Sequence, residues 1–260
     1  MNKWILSVFL IVISVNTFAQ EDLFGKKTTE SNNPVAPSHH GWLIAANGDL
    51  DFPAADMAKR FGTSYRIGPS VMYKTADNFL FGVKWDFISG NQIRQDSLMA
   101  NLYTSTGDML DQNGTKVSPR IYERGYMVGI SAGKIFNVSK KNKDNGIACL
   151  LTLGFIQHKI LIISTDNEIP AIRGDYVKGY DRLTNGAFLE AYTGYAFFGK
   201  EGLMNFNLGL DLAAGFTQGR RDYLFDVMRP DNQKRTDILF GLRGTWYIPI
   251  FKKKSEEYVF

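Results

Sequence analysis

The sequence predicts an all-β fold: an eight-stranded antiparallel up-and-down transmembrane β-barrel with long extracellular loops. Three observations predict it. Eight segments alternate apolar and polar residues with period two, a set that only a strand places on opposite faces. Short connections alternate with long ones along the chain, as transmembrane barrels require. The polar face is rich in glycine while the apolar face is bulky and aromatic.

Ahead of the first strand, Met1-Asn2-Lys3 makes a short positive start, and 4–15 is an apolar run. Thr17 and Ala19 then place small residues where a signal peptidase reads. The run is too short to cross a bilayer as a helix, so residues 1–19 are expected to be a secretory signal cleaved near Ala19. Residues 20–40, polar and holding Pro34 and Pro37, read as a periplasmic segment. The one cysteine, Cys149, cannot close an internal disulfide. The formal charge of +4 is modest, and the lysines cluster at Lys140, Lys141 and Lys143 and at Lys252, Lys253 and Lys254. Without interleaved aromatics these read as solvated turn and tail positions, and nucleic acid is not an expected partner.

The barrel is expected over residues 41–251. Segment 41–50 sets Trp42, Ile44 and Leu50 against Asn47 and Asp49. Segment 65–74 sets Tyr65, Ile67, Val71 and Tyr73 against Arg66, Gly68, Ser70 and Lys74. In 79–87, Phe79, Phe81, Val83, Trp85 and Phe87 oppose Gly82, Lys84 and Asp86. In 122–136, Tyr126, Val128, Ile130 and Phe136 oppose Glu123, Gly125, Gly129, Ser131 and Gly133. Segment 147–159 opposes Leu151, Leu153 and Phe155 to Thr152, Gly154 and His158. Segment 187–197 opposes Leu189, Tyr195 and Phe197 to Glu190 and Gly194. The clearest is 203–216, with Met204, Phe206, Leu208, Leu210, Leu212 and Phe216 against Asn205, Asn207, Gly209 and Asp211. Segment 236–250 closes the set, with Ile238, Phe240, Leu242, Trp246 and Ile248 against Asp237, Gly241, Arg243 and Thr245.

Connections 75–78, 137–145 and 199–202 are the shorter ones; 51–62, 91–120, 162–185 and 217–234 are long. With both ends in the periplasm, every short connection falls on that side and every long one outside. Residues 252–260 then form a periplasmic tail.

Alternation alone does not say which face meets lipid. A soluble lipocalin-like barrel would turn its apolar set inward. Here the polar set carries Gly68, Gly82, Gly125, Gly129, Gly133, Gly154, Gly194, Gly209 and Gly241. Glycine weakens a water-facing strand but suits a narrow lumen, where small residues must sit between a few large ones. The polar parity is therefore the lumen, and its charges are expected to pair across it: Arg66, Lys84, Asp86, Glu123, Glu190, Asp211 and Arg243, joined by Asp49 and Asp237. Trp42, Tyr65, Tyr73, Trp85, Tyr195, Phe216 and Trp246 suit interfacial girdles.

Candidate chemistry is sparse. His39 and His40 could hold a metal loosely, but a linker accounts for them better. His158, on the lumen parity near an outer strand end, is where a lipid-modifying barrel enzyme would need a neighbouring hydroxyl and acid, yet the nearest downstream serine is Ser164 in a loop. Glu190 and Asp211 could form an acid/base pair, or more simply neutralise Arg66 and Arg243. No cysteine–histidine metal motif or phosphate-cradling glycine loop is present. The expectation is a non-enzymatic protein with no catalytic residue, cofactor or metal, and with a lumen too crowded for a porin.

The loops are long enough to suggest a role. In 91–120, Ile93, Leu98, Leu102 and Leu110 recur loosely at helical spacing, followed by turn chemistry in 108–114. Arg173-Gly174-Asp175 is too common a tripeptide to imply adhesion. Arg220-Arg221-Asp222-Tyr223 and Arg229-Pro230 suit either contacts or loop bracing.

The chain resembles the outer-membrane β-barrel proteins of Bacteroidota. The resemblance rests on Thr75-Ala76-Asp77-Asn78, Tyr122-Glu123-Arg124-Gly125, Gln157-His158-Lys159-Ile160, the run from Gly179-Tyr180-Asp181-Arg182 through Leu183-Thr184-Asn185-Gly186, Gly215-Phe216-Thr217-Gln218, and Trp246-Tyr247-Ile248-Pro249-Ile250. It implies an outer-membrane location and the fold, and, through barrels of similar size, an association with type IX protein-secretion machinery. The expected partners are outer-membrane lipid and other envelope proteins, met through loops and tail. A subunit or scaffold of an envelope assembly is the leading expectation. A lipid-modifying enzyme and a free-standing OmpA-like structural barrel are the alternatives.

Overall fold

The computed structural model describes residues 38–95, 97–139, 142–164, 169–199 and 204–251. The expected signal (1–19), most of the segment 20–40 and the tail (252–260) lie outside the described residues. Eight strands form the wall: β1 (Gly41–Ala54), β2 (Ser64–Lys74), β3 (Phe79–Gly90), β4 (Arg120–Asn137), β5 (Gly146–Ile163), β6 (Thr184–Phe198), β7 (Asn205–Gly219) and β8 (Lys234–Phe251). Each pairs antiparallel with its neighbours in sequence, and β1 pairs with β8 to close the barrel. The closing register sets Trp42 opposite Ile250, Asp49 opposite Arg243 and Ala54 opposite Ile238. Closure satisfies the backbone of every strand within the wall, a condition of residence in hydrocarbon.

The apolar parity faces outward. Trp42, Ile67, Phe81, Trp85, Ile130, Leu153, Leu189, Leu208, Leu210, Phe216, Phe240 and Trp246 are all exposed, whereas Arg66, Asp86, Glu190 and Asp211 are buried. On β1 the outward set runs from Trp42 to Phe52. At ~3.3 Å per residue and a tilt near 40° that span rises about 25 Å along the barrel axis, the height of a membrane barrel's apolar band. A soluble protein of this size would not leave such a belt uncovered.

Inside, apolar residues form two layers with the charges between them. The periplasmic layer joins Leu43, Met72, Leu80, Ile135, Leu150, Tyr192 and Tyr247; the outer one joins Ile88, Met127, Ile156, Ile160, Phe188 and Leu239. The lumen is thus less uniformly polar than its glycine content suggests. One glycine shows how tightly it fills: a Cβ on Gly129 would lie 2.8 Å from the Thr152 methyl and 3.2 Å from the Phe188 ring.

Two expectations about the outer end need correction. β1 does not stop at Leu50 but runs to Ala54, which brings Asp51 onto the lumen face beside Asp49. A short helix, α1 (Ala55–Ala58), follows and turns the chain into the mouth, where Met57 and Phe61 are fully buried. The helical spacing in 91–120 does not yield an α-helix. Met99 adopts a left-handed φ of 61°, one 3-10 turn spans Ala100–Leu102, and Met109–Leu110 pairs with Lys116–Val117 as a hairpin. Of the residues at that spacing, Leu98 is buried over the barrel mouth with Ile93 and Leu102 packed against the same cluster, while Leu110 is exposed, so the spacing records docking rather than a helix face. The 108–114 turn is observed: Asp111 Oδ1 accepts from the amides of Asn113 and Thr115, and Gly114 has a positive φ.

Candidate functional site

The middle of the lumen is organised by Arg66 of β2, whose side chain has no exposure. Its Nε and Nη2 donate to the two oxygens of Asp51 at 2.6 and 2.7 Å, a bidentate pair. Its Nη1 donates to Glu190 at 2.9 Å, and Nη2 also meets Asp49 at 3.3 Å and Asp211. Arg243 of β8 bonds Asp49 at 2.6 Å and Glu190 at 2.7 Å, with Asp211 3.6 Å away. Lys84 of β3 donates to Glu190 at 2.7 Å and ion-pairs with Asp86 at 2.7 Å. Six of the residues expected to pair, Arg66, Lys84, Asp86, Glu190, Asp211 and Arg243, are thus brought into one cluster with Asp49.

Asp51 is the member that sequence reasoning missed. Its parity with Asp49 was the available signal, hidden by the early end assigned to the strand. Asp49, Asp51 and Asp211 converge closely enough for a cation, and the Arg66 guanidinium is the cation they share. Glu190 and Asp211 are likewise occupied by the arginines, so neither stands as a free acid/base pair.

Glu123 is the correction. It is buried on the lumen face, but its carboxylate accepts from the Ser64 hydroxyl, and among the described residues no cation lies within ion-pairing distance of it. The reason is height. Glu123 sits near the outer end of β4, opposite Gly90 and Ile160, above the layer that Arg66, Lys84 and Arg243 can reach.

A second polar group fills that outer level. Arg60, arriving with the loop after α1, donates to Thr184 at 2.9 Å and to Asp237 at 3.1 Å. Asp237 also accepts from Thr217 at 2.6 Å and lies 2.9 Å from His158 Nε2. The Phe61 ring meets His158 edge-on at 5.5 Å. His158 therefore faces inward, covered by a loop aromatic and turned away from the lipid-facing wall. The loop arginines brace one another: Arg221 makes a two-pronged pair with Asp181, and Arg182 pairs with Asp226.

The periplasmic mouth is closed by a tether. Lys74, at the end of β2, donates to Asp144 at 2.6 Å and to the His39 carbonyl at 2.7 Å. Asp144, in the turn between β4 and β5, also accepts from Ser38 Oγ at 2.6 Å and lies 2.6 Å from His39 Nδ1. The His39 ring stacks on Phe251. His39 thus pins the entering chain, consistent with neither a free linker nor a metal pair with His40. Burial alone would raise the Asp144 carboxyl, but the hydrogen bonds from Lys74, Ser38 and His39 outweigh it and hold the carboxyl below its ordinary value of 3.8. A depressed carboxyl stabilises the folded form above the unfolded value, and that contribution is lost as pH falls through the lower folded one. Protection of the amides of residues 38–40 against hydrogen exchange, relative to the intrinsic rate at each pH, is therefore expected to be high at neutral pH and to be lost in strong acid. Asp144→Asn is expected to show fast exchange already at neutral pH.

Between the charged layer and the periplasmic layer, a cavity of about 10 Å³ is lined by Asn47, Lys84, Thr152, Tyr192 and Arg243, among others. It holds one water at most.

No family model matches the chain, and no curated protein matches it. The chain is similar to solved outer-membrane barrels at low identity. Neisserial surface protein A is 10% identical over 80% of this chain and 96% of its own, with a TM-score of 0.41. Ail of Yersinia pestis, solved with the heparin analogue sucrose octasulfate, is 12% identical over 81% and 98%, with a TM-score of 0.36. OprG of Pseudomonas aeruginosa is 9% identical over 81% and 96%, with a TM-score of 0.33. The eight-stranded closure stands on the chain's own strand pairing. The exposed apolar wall and charged lumen make it a membrane-spanning barrel of the outer-membrane type.

Proposed function

We propose that this protein is a non-enzymatic outer-membrane barrel that acts as a subunit or scaffold of an envelope assembly, with its working surfaces at the two rims. The observation that carries this reading is the filled lumen: a charged layer between two apolar layers, with a cavity of only about 10 Å³ beside it. A barrel so filled offers a solute no open path, and the charged side chains at its centre pair with one another, which leaves the braced loop cap and the periplasmic end for contacts. The resemblance to Bacteroidota barrels makes protein-secretion components the first partners to seek.

Purified protein in planar bilayers is expected to give no stable conductance, and gently solubilised membranes are expected to yield stoichiometric envelope partners with a tagged chain. Stepwise channel openings would overturn the filled-lumen premise. Elution as a lone monomer would overturn the scaffold role in favour of a free-standing structural barrel. Of the enzymatic alternative's candidates, the His158 ring is buried and engaged by Asp237, and Glu190 and Asp211 are held by Arg66 and Arg243.

A further inference from the structure

The outer wall carries a groove that neither the lumen nor the loop cap explains. Its volume is about 350 Å³, within the range of small-molecule sites. It lies at the outer ends of β6, β7 and β8, where Phe216 pairs with Ala187 on one side and Thr236 on the other, and Gln218 pairs with Asn185 and Lys234. Asn185, Phe216, Gln218, Lys234 and Thr236 share the outward parity of these strands, the parity that carries the lipid-facing belt. The groove therefore opens on the lipid side, where the apolar belt gives way to polar residues.

Its chemistry changes over one residue step. The floor is Phe216, 64% exposed, beside Gly186. Above the floor stand Arg220, Lys234 and Arg235. Arg220 is held by its Nε donating to Asn185 Oδ1 at 2.7 Å. Among the described residues no carboxylate ion-pairs with Arg220 or Lys234. Arg235 is shared with Asp231 at 2.6 Å. The one carboxylate lining the groove, Asp56, is engaged by Lys59 at 2.7 Å and by the Thr236 amide at 2.9 Å.

We propose that this groove seats the net-anionic phosphate headgroup of an outer-leaflet lipid, one whose phosphate carries no compensating ammonium, with Arg220, Lys234 and Arg235 on the phosphate and Phe216 against the start of an acyl chain. The proposal rests on the lipid-facing assignment of the wall and is independent of the scaffold role. Guanidinium and ammonium groups make charge-assisted hydrogen bonds to phosphate. Height selects the occupant: a basic cluster directly above an exposed aromatic in the apolar belt is where a lipid's charge and chain meet.

The test is native mass spectrometry of the full-length protein, delipidated and then exposed to mixed micelles of phosphatidylglycerol and phosphatidylcholine. Wild type is expected to retain one phosphatidylglycerol in preference to phosphatidylcholine. The triple variant R220Q/K234Q/R235Q is expected to lose about tenfold in retention, corresponding to about 1.4 kcal/mol. The control is R124Q/K159Q, which removes a basic pair that faces across β4 and β5 elsewhere on the barrel. Equal loss in both variants would reduce the effect to general surface charge and overturn the groove. Equal retention of phosphatidylcholine would do the same. Displacement of the lipid by millimolar inorganic phosphate would make the site one for soluble phosphate and overturn the lipid assignment. Conductance and partner recovery, measured on the same triple variant, are expected to be unchanged, which separates this outcome from that of the scaffold reading.

Discussion

Replacing Arg66 with methionine is expected to cost about 3–5 kcal/mol of barrel stability, the loss typical of stripping one partner from a buried ion cluster. Among the described residues it is the sole cation bonded to Asp51 and one of two that neutralise Asp49 and Asp211. Three of its carboxylate partners already crowd into the span of a metal site. Without the guanidinium they repel one another in a lumen that water cannot enter to screen them. Arg243 cannot move in to compensate, because its own Nε and Nη1 are committed to Asp49 and Glu190. The measurement is the urea midpoint of the refolded protein, read by the shift between folded and unfolded bands on a gel run without boiling. Asp86→Asn makes the contrast. The Asp86 carboxylate accepts no hydrogen bond, although Lys84 stands 2.7 Å from it, and Lys84 keeps Glu190 when Asp86 is neutralised. That variant is expected to lose far less. A methionine variant with the wild-type midpoint would mean that the cluster fills space and does not hold the barrel shut.

The second large effect is on the opposite face of the wall. Leu210→Arg places a charge at the middle of the outward row of β7, between Leu208 and Leu212, all three exposed. In a membrane barrel an arginine at the bilayer midplane costs about 2–4 kcal/mol, because the side chain must reach an interface or drag water in. In a soluble barrel the same exchange at an exposed position would stay within about 0.5 kcal/mol. Folding titrations into phospholipid vesicles are expected to show the larger loss for Leu210→Arg. Thr236→Arg, at the outer end of the neighbouring strand and opposite Phe216, is expected to show little. If the two substitutions cost the same, the outward face is not in hydrocarbon.

Much of this architecture is legible in the chain itself. Parity is local: once a strand exists, residue i and residue i+2 must share a face, so the row from Phe206 to Phe216 and the row from Asn207 to Asp211 could be assigned before any contact was known. The hand of the wall was legible too. Glycine recurs mainly on one parity, Gly48 and Gly244 being outward exceptions, and a narrow lumen is the place where missing side chains are useful. Membership of the charge cluster followed from the same rule for Arg66, Lys84, Asp86, Glu190, Asp211 and Arg243.

What the sequence could not supply was height and reach. Glu123 has the parity of the cluster but stands near the outer end of β4, and only the stagger of the strands reveals that none of the cluster's cations, Arg66, Lys84 or Arg243, reaches it. Asp51 was lost to a strand end misplaced by four residues, because Pro53 and the small residues beside it resemble loop. The pairing of Arg66 with Glu190 joins strands that are far apart in the chain and on different parts of the wall. Such a contact depends on barrel radius, tilt and side-chain length, none of which is a local property. The same holds for the mouth, where Met57, Phe61 and Met99 spend loop residues on covering the lumen, and for the groove between β6, β7 and β8. Sequence alone determined which face each strand residue takes, since that depends only on the pleat. Tertiary structure alone decided which residues meet across the lumen and along the wall, since that depends on how eight tilted strands close.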